Sequence, residues 1–125
     1  MMEKGKQIKI TVGKIEVEGW LNETETAGKV WESLPITGSI NLWGDEIYFE
    51  IPVEAGLENA REVVSLGDIA YWPQGSAMCI FLGKTPVSRG KEIRAVSPVN
   101  VIGGIKGVEK LLGKVRQGET INVRR

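Results

Sequence analysis

The clearest fold signal in this chain is the stretch GDIAYWPQGSAMCIFLGKTP at residues 67–86. Two β-prone runs, residues 69–72 and 77–82, flank a turn at residues 73–76 that contains Pro73 and Gly75. Apolar runs separated by such a turn are typical of a β-hairpin. The remaining segments are shorter, and we expect them to pack around this central hairpin.

Side-chain alternation assigns the two faces of the central hairpin, because successive residues of a strand point to opposite sides. Met78, Ile80 and Leu82 share one face, and Cys79 and Phe81 share the other. If the aliphatic set points inward, Cys79 and Phe81 point outward. We expect them to lie beside Trp72.

A second hairpin is predicted near the N-terminus. Ile8, Ile10 and Val12 alternate with polar residues, and so do Ile15 and Val17. The intervening Gly13-Lys14 suits a two-residue turn. Pairing Val12 with Ile15 places all five aliphatic side chains on one face.

A third hairpin is predicted over residues 38–53, with its turn at Gly44-Asp45. In this register Leu42 lies opposite Ile47, and Ile40 lies opposite Phe49. The other face then carries Asn41, Trp43, Glu46, Tyr48 and Glu50. This face is either a solvated outer surface or one wall of a binding groove.

Two short helices complete the pattern. Ala27, Val30, Trp31 and Leu34 have helical spacing, follow threonine caps and end at Pro35. We expect this helix to cover one end of a barrel, with Trp31 as its anchor. The second helix is predicted from Val108, Leu111, Leu112 and Val115, after a bend at Gly103-Gly104. Residues 55–65 and 84–96 are predicted as connections, and residues 120–123 as a closing strand.

Composition restricts the class of protein. A chain of 125 residues, 42% hydrophobic and 26% charged, suits one domain spanning residues 1–125. Sixteen basic and 16 acidic residues cancel, which argues against nucleic-acid or membrane partners. The sequence shows no signal peptide, and one cysteine cannot form an internal disulfide, so we expect a cytoplasmic protein. Abundant Glu and Lys with few Asn, Gln, Cys and Met favour a thermophilic source.

The residue types also exclude several chemistries. The chain has no histidine, which removes Ser-His-Asp and Cys-His catalysis and nearly all zinc sites. We therefore predict no metal and no cofactor. Cys79 lies in an apolar run and is expected to be an inert buried thiol. Glu46 and Glu50 share a strand face, where a carboxylate pair is less common than two solvated acids.

Four blocks of sequence carry a family resemblance: NLWGDEIYFEIPV at 41–53, NAREVV at 59–64, the central hairpin, and SPVNVIGGI at 97–105. They resemble the small stand-alone cyclophilin-like proteins of bacteria and archaea, whose function is unassigned. The resemblance extends from about Ile8 to Val123. It implies an all-β fold, a closed eight-stranded antiparallel barrel with a short helix capping each end.

The resemblance also implies an outer groove across the hairpin of residues 38–53 and the central hairpin. In cyclophilins this groove holds an essential Arg, a Gln, a Trp and a His. Here residues 39–43 contain no Arg, Trp43 falls close to that position, and Glu50 stands roughly where the Gln would be. These departures argue against cyclophilin-type prolyl isomerase activity.

Three functions remain under consideration. The leading hypothesis is binding of a small ligand or a proline-containing peptide in the outer groove. Its ligand-binding residues would be Trp43, Glu46, Tyr48, Glu50, Trp72 and Phe81. The second is an enzyme, a weak prolyl isomerase or another activity, with Glu50 and Arg61 as catalytic candidates. The third is a homo-oligomer or partner-binding module that uses the same aromatic side chains.

Overall fold

A computed structural model describes residues 5–125, and strands outnumber helices throughout this range. The strands are β1 (Lys6–Val12), β2 (Ile15–Leu21), β3 (Ile36–Ser39), β4 (Asn41–Trp43), β5 (Glu46–Glu50), β6 (Arg61–Val64), β7 (Asp68–Trp72), β8 (Ala77–Phe81), β9 (Ile93–Ile105) and β10 (Thr120–Arg124). The helices are α1 (Glu25–Ser33) and α2 (Val108–Leu111), with a single 3-10 turn at Pro73–Gly75.

The antiparallel sheet closes on itself. Its strand order is β3-β10-β1-β2-β9-β7-β8-β5-β4, so β3 and β4 form the two ends of the series. Only Ile40 separates these two strands in sequence, and one bent stretch of chain therefore supplies both edges. Within residues 5–125, eight strands form the barrel when β3 and β4 are counted as one strand. Strand β6 lies outside this circuit and pairs with β9.

Aliphatic side chains fill the barrel, as the alternation predicted. Val12 lies opposite Ile15 in the N-terminal hairpin, and the side chains of Ile8, Ile10 and Val17 are buried. Burial of each such side chain contributes roughly 1.5–3 kcal/mol relative to leaving it exposed. The register and inner face predicted for this hairpin are confirmed.

The hairpin predicted over residues 38–53 and the central hairpin also form, with one difference in register. Leu42 lies opposite Ile47, as expected. Ile40 does not extend this pairing to Phe49, because its N–H and C=O groups bond to Glu119 and Gly118 instead. Ile40 is thus the residue at which the strand leaves β5 and turns towards β10.

Helix α1 covers one end of the barrel, and side chains satisfy its first N–H groups. The hydroxyl of Thr24 accepts from the N–H of Ala27. The carboxylate of Glu58 accepts from the hydroxyl of Thr26 and from the N–H groups of Thr26 and Glu25, and these bonds hold the pKa of Glu58 below its usual value. An anion at this end also complements the helix dipole.

Trp31 is half-buried and packs against the barrel core, as predicted for the anchor of α1. Its exposed ring face lies beneath two cations. The ammonium of Lys6 is 5.4 Å and the guanidinium carbon of Arg125 is 4.4 Å from the ring centroid. These contacts tie the C-terminal residue to α1.

A buried amide connects α1 to β9 and to the segment before β6. The side chain of Asn100 donates to the hydroxyl of Thr26 and to the carbonyl of Gly56. Its oxygen accepts from the N–H of Glu58 at 2.8 Å. Residues 56–58 are therefore held against the barrel by hydrogen bonds.

Three predicted connections differ from the structure. Residues 55–65 contain strand β6, and residues 93–96 belong to β9 and not to a loop. Gly103-Gly104 is not a bend, because β9 passes straight through both glycines. A Cβ at Gly104 would lie 2.6 Å from Cζ2 of Trp20, so only glycine allows the two strands this close approach.

The second predicted helix is present but shorter than its apolar spacing suggested. Helix α2 ends at Leu111, and Gly113 follows with φ +74°. The longest helix in residues 5–125 has nine residues, and none in that range is long and apolar enough to cross a membrane.

Candidate functional site

A second hydrophobic cluster lies on the outside of the barrel. Here β6 and the first half of β9 cover the outer face of β7 and β8. The buried members of this cluster are Val64, Ala70, Cys79, Phe81, Ile93, Ala95 and Val99. Cys79 and Phe81 thus point out of the barrel, as predicted, but they meet protein and not solvent.

Cross-strand register explains why a cavity forms at the border of this cluster. Residues directly opposite each other on adjacent antiparallel strands share a face. Across the strands the outer rows are Trp43–Glu46–Phe81, Tyr48–Cys79–Ala70 and Glu50–Ala77–Trp72. Small side chains at Cys79, Ala70 and Ala77 therefore lie between bulky rings and leave a depression.

The depression is a partly open cavity of about 180 Å³. Trp43, Tyr48 and Trp72 supply aromatic walls, and Glu46 and Cys79 contribute the polar groups. Ala95, Val96 and Val99 of β9 form the remaining wall. An apolar cavity of roughly 150 Å³ accommodates benzene, so this space is suited to about one ring.

The orientation of the rings is set by specific contacts. Tyr48 and Trp72 meet edge to face, with ring centroids 6.5 Å apart and an interplanar angle of 82°. The indole Nε1–H of Trp72 donates to the hydroxyl of Ser97 at 2.7 Å. That hydroxyl in turn donates to the side-chain oxygen of Gln74 at 3.2 Å. The polar edge of Trp72 is therefore already occupied.

Gly75 allows Trp72 to adopt this position. A Cβ on Gly75 would lie 2.5 Å from Cε3 of the indole ring, which no side chain could occupy without displacing the ring. The 3-10 turn that contains Gly75 begins at Pro73, directly after Trp72. The turn at Pro73–Gly75 therefore connects β7 to β8 and also leaves room for the Trp72 ring, which forms one wall of the cavity.

Glu46 is the one acidic residue in the lining of this cavity within the described chain, and its side chain is only 6% exposed. Burial raises the pKa of its carboxyl group to about 7, and a hydrogen bond from Cys79 partly offsets the rise. The ion pairs formed among residues 5–125 do not include Glu46. No Lys or Arg side chain in this range therefore forms an ion pair with its carboxyl group.

Cys79 is buried beside Glu46 and is the free thiol of the chain. Burial raises the pKa of its thiol well above the usual value, and the charge of Glu46 raises it further. A thiol in this state is a weak nucleophile at neutral pH. The group can donate a hydrogen bond, and it is not prepared for covalent catalysis.

The structure brings together four of the six predicted ligand-binding residues. Trp43, Glu46, Tyr48 and Trp72 all line the cavity. Phe81 does not, because its side chain is 0% exposed and packs beneath β9 in the outer cluster. The placement of Phe81 in an open groove was wrong for a reason that alternation cannot reveal: another segment covers that part of the face.

The two catalytic candidates lie elsewhere. Glu50 is exposed and is not part of the cavity lining, so it forms no carboxylate pair with Glu46 there. Arg61 is exposed at the start of β6, where its backbone pairs with Val99. The charge of Arg61 acts on Asp68, whose pKa burial raises despite this influence. The structure does not assemble Glu50 and Arg61 into one site at the cavity.

Several residues at the site had no strong signal in the sequence. Val96, Val99 and Ala95 were assigned to a loop or to an ordinary strand, and Ser97 was not singled out. Cys79 was expected to be buried and inert, and its position opposite Tyr48 emerges once the β5–β8 register is known. Among residues 5–125, no cluster of His, Cys, Asp and Glu has the arrangement needed to hold a metal ion.

The closed antiparallel barrel with an outer cavity defines the class of this protein. The chain belongs to the cyclophilin-like family, whose family model matches residues 6–124. No curated protein matches the chain.

The solved structures that are similar to it include the following two. The solution structure of the hypothetical protein AF2241 from Archaeoglobus fulgidus has 42% sequence identity and a TM-score of 0.80, over 99% of this chain and 97% of that chain. The structure of McbB in complex with tryptophan has 17% identity and a TM-score of 0.71, over 94% of this chain and 44% of that chain. The second likeness shows a shared fold.

Proposed function

We propose that this cyclophilin-like protein binds a small organic ligand in the outer cavity. The observation that carries the proposal is the cavity itself: three aromatic rings and one buried carboxyl group surround about 180 Å³ of open space. Binding sites in proteins are typically concave, largely apolar and furnished with a few polar groups. Sites for drug-sized molecules are larger, roughly 300–1,000 Å³, so the ligand here is about one ring in size.

The construction of the walls supports binding of a ligand over a purely structural role. Trp72 is held in place by Ser97, and Tyr48 is held by its edge-to-face contact with Trp72. Rigid walls reduce the entropy that a ligand would lose by ordering them. The rings therefore form a preorganised surface without a ligand present.

The cavity can be tested by NMR titration, because the four tryptophans of the chain report separately on it. Trp43 and Trp72 line the cavity, whereas Trp20 lies on β2 and Trp31 on α1. The panel should contain neutral, cationic and anionic one-ring compounds together with a proline dipeptide. We expect a binder to shift the indole N–H signals of Trp43 and Trp72 and to leave those of Trp20 and Trp31 in place.

A variant that closes the cavity supplies the control. Val96 lines the cavity but is 56% exposed, so Val96→Trp should cover the opening without disturbing the core. Val63→Trp is the matched substitution, at an exposed strand valine outside the cavity lining. Binding should be lost in the first variant and kept in the second. If no compound shifts Trp43 or Trp72, the cavity is not a ligand site.

The other functions remain predictions with less structural support. An isomerase that depends on Glu50 and Arg61 would need both side chains near a bound peptide, and neither lines the cavity. A shift of Trp43 and Trp72 by the proline dipeptide alone would favour a peptide ligand over a small molecule. Self-association is tested by light scattering across a range of protein concentrations.

A further inference from the structure

The side chains that line the cavity are not those expected of a site that binds only a neutral apolar ring. Its described lining contains one carboxyl group and no Lys or Arg side chain. Three aromatic rings line the cavity together with that carboxyl group. The rings and the acid come from β4, β5 and β7. The arrangement is a cage of rings with one acidic group inside it.

The faces of aromatic rings attract cations. The π-electrons of Trp, Tyr and Phe place negative charge on the ring face, and this attraction is the basis of aromatic cages for quaternary ammonium groups. Trp72 can offer its ring face in this way, because the hydrogen bond from its indole N–H to Ser97 fixes the orientation of the ring. The edge-to-face geometry of Tyr48 and Trp72 provides two perpendicular walls, as a compact, rounded cation requires.

The position of Glu46 also favours a cationic ligand. Its carboxyl group is nearly buried, receives a hydrogen bond from Cys79 and takes part in none of the ion pairs among residues 5–125. An ionised carboxylate in such a place is unfavourable unless a cation approaches it. A neutral ligand would bury Glu46 further and favour its protonated form, whereas a cation would stabilise its carboxylate. An anionic ligand would be repelled.

We infer that the natural ligand of the cavity is a small organic cation, an ammonium compound whose charged head group sits between the three rings and against Glu46. This inference rests on the proposed function, and it specifies the chemical class of the ligand. Size sets a further limit. A trimethylammonium head group is comparable to one benzene ring and fits a space of about 180 Å³.

The decisive test compares choline with dimethylbutanol, its neutral isostere in which carbon replaces the nitrogen. Both compounds are titrated into the full chain at pH 8, with the indole signals of Trp43 and Trp72 as the readout. We expect choline to bind about tenfold more tightly, the increment of a desolvated cation–π contact. Glu46→Gln should reduce this preference, and Glu50→Gln, an exposed acid on the same strand, should leave it unchanged.

A second variant separates the contribution of the rings from that of the acid. Tyr48→Leu keeps an apolar side chain at the cavity wall but removes the ring face. We expect it to weaken choline several-fold and to change dimethylbutanol little. If both compounds weaken equally, Tyr48 contributes apolar contact alone, and the cage is excluded as the origin of binding.

The pH dependence gives an independent check, because choline carries a permanent charge. The titratable groups that face the cavity are Glu46 and Tyr48 on β5 and Cys79 on β8, and the lining residues of β4, β7 and β9 have none. Choline affinity should rise about tenfold between pH 6 and pH 8 as Glu46 ionises. In Glu46→Gln this rise should disappear.

The outcomes separate the inference from the proposed function. If dimethylbutanol or other neutral rings bind as well as choline or better, the cavity is a ligand site, but the charge inference is overturned. If no compound of either kind shifts Trp43 and Trp72, both are overturned. Preference for choline in the parent protein and its reduction in Glu46→Gln support both.

Discussion

The thiol of Cys79 donates a hydrogen bond to the carboxyl group of Glu46 at the cavity. The two residues occupy diagonal positions on β5 and β8, since Glu46 lies opposite Phe81 and Cys79 lies opposite Tyr48. Burial raises the pKa of both groups, the charge of Glu46 raises the pKa of Cys79 further, and the hydrogen bond from Cys79 partly lowers the pKa of Glu46. The cavity lining therefore contains an acid that can be protonated near neutral pH and, beside it, a neutral thiol.

The first prediction concerns stability and pH. The pKa of Glu46 is about 7 in the folded state, against an ordinary value of 4.5 for a glutamate, so the folded chain holds this proton more tightly than the unfolded chain. The resulting stabilisation is present below pH 4.5 and is lost as the pH rises through 7. We expect this group to make the protein less stable at pH 8 than at pH 5, by about 2 kcal/mol after allowance for its partial contact with solvent.

Urea denaturation of the parent protein and of Glu46→Gln at both pH values measures this effect. Other groups also titrate in this range, so the informative quantity is the difference between the two proteins. Glu46→Gln should lose the component of the pH dependence that Glu46 supplies, and the exposed Glu50→Gln should retain it. Equal pH dependence in all three proteins would contradict the assignment.

The second prediction is that Cys79 reacts slowly in the folded protein. Its thiol is buried and its pKa is raised by burial and by Glu46, so little thiolate is present at neutral pH. We expect alkylation by iodoacetamide at pH 7.5 to be about 100-fold slower than in urea, a difference set by access and by thiolate fraction. Rapid labelling of the native chain, with its NMR spectrum unchanged, would show that the thiol is accessible and activated.

The third prediction concerns the contact between Ser97 and Trp72. Ser97→Ala removes the acceptor of the indole N–H, which should cost about 1 kcal/mol of stability. It should also move the indole N–H signal of Trp72 towards that of a free indole. Ser39→Ala removes an exposed hydroxyl bonded to Gly118 and is the matched control. A Trp72 signal that is identical in Ser97→Ala and in the control would mean that Ser97 does not hold the ring.

The fourth prediction concerns the buried amide of Asn100. Asn100→Ala removes a buried amide, and it leaves the carbonyl of the exposed Gly56 and the N–H of the half-buried Glu58 without their partner. We expect a loss of about 1–3 kcal/mol, the net contribution of the hydrogen bonds that the amide makes. Asn122→Ala removes an exposed amide that bonds to Thr37 and should cost less than about 1 kcal/mol. Denaturation in urea compares the two variants. Equal losses would mean that Asn100 contributes no more to stability than an exposed amide does.

Strand pattern and turn chemistry were enough to predict the barrel hairpins. The pairing of Val12 with Ile15 follows from a two-residue turn and from alternation, both of which act over a few residues. The pairing of Leu42 with Ile47 follows in the same way. Glycine signals were less informative, because Gly103 and Gly104 mark a close approach to Trp20 within one strand and not a turn.

The outward direction of Trp43, Glu46, Tyr48 and Trp72 was predicted from local alternation alone, since parity in a strand is a property of consecutive residues. Which of these side chains would meet solvent depended on contacts between distant segments. Strand β6 and residues 93–99 bury Phe81 and complete the cavity wall, while leaving Glu50 outside. Local periodicity carries no information on such covering segments, and the burial that raises the pKa of Glu46 therefore appears only when the chain has folded.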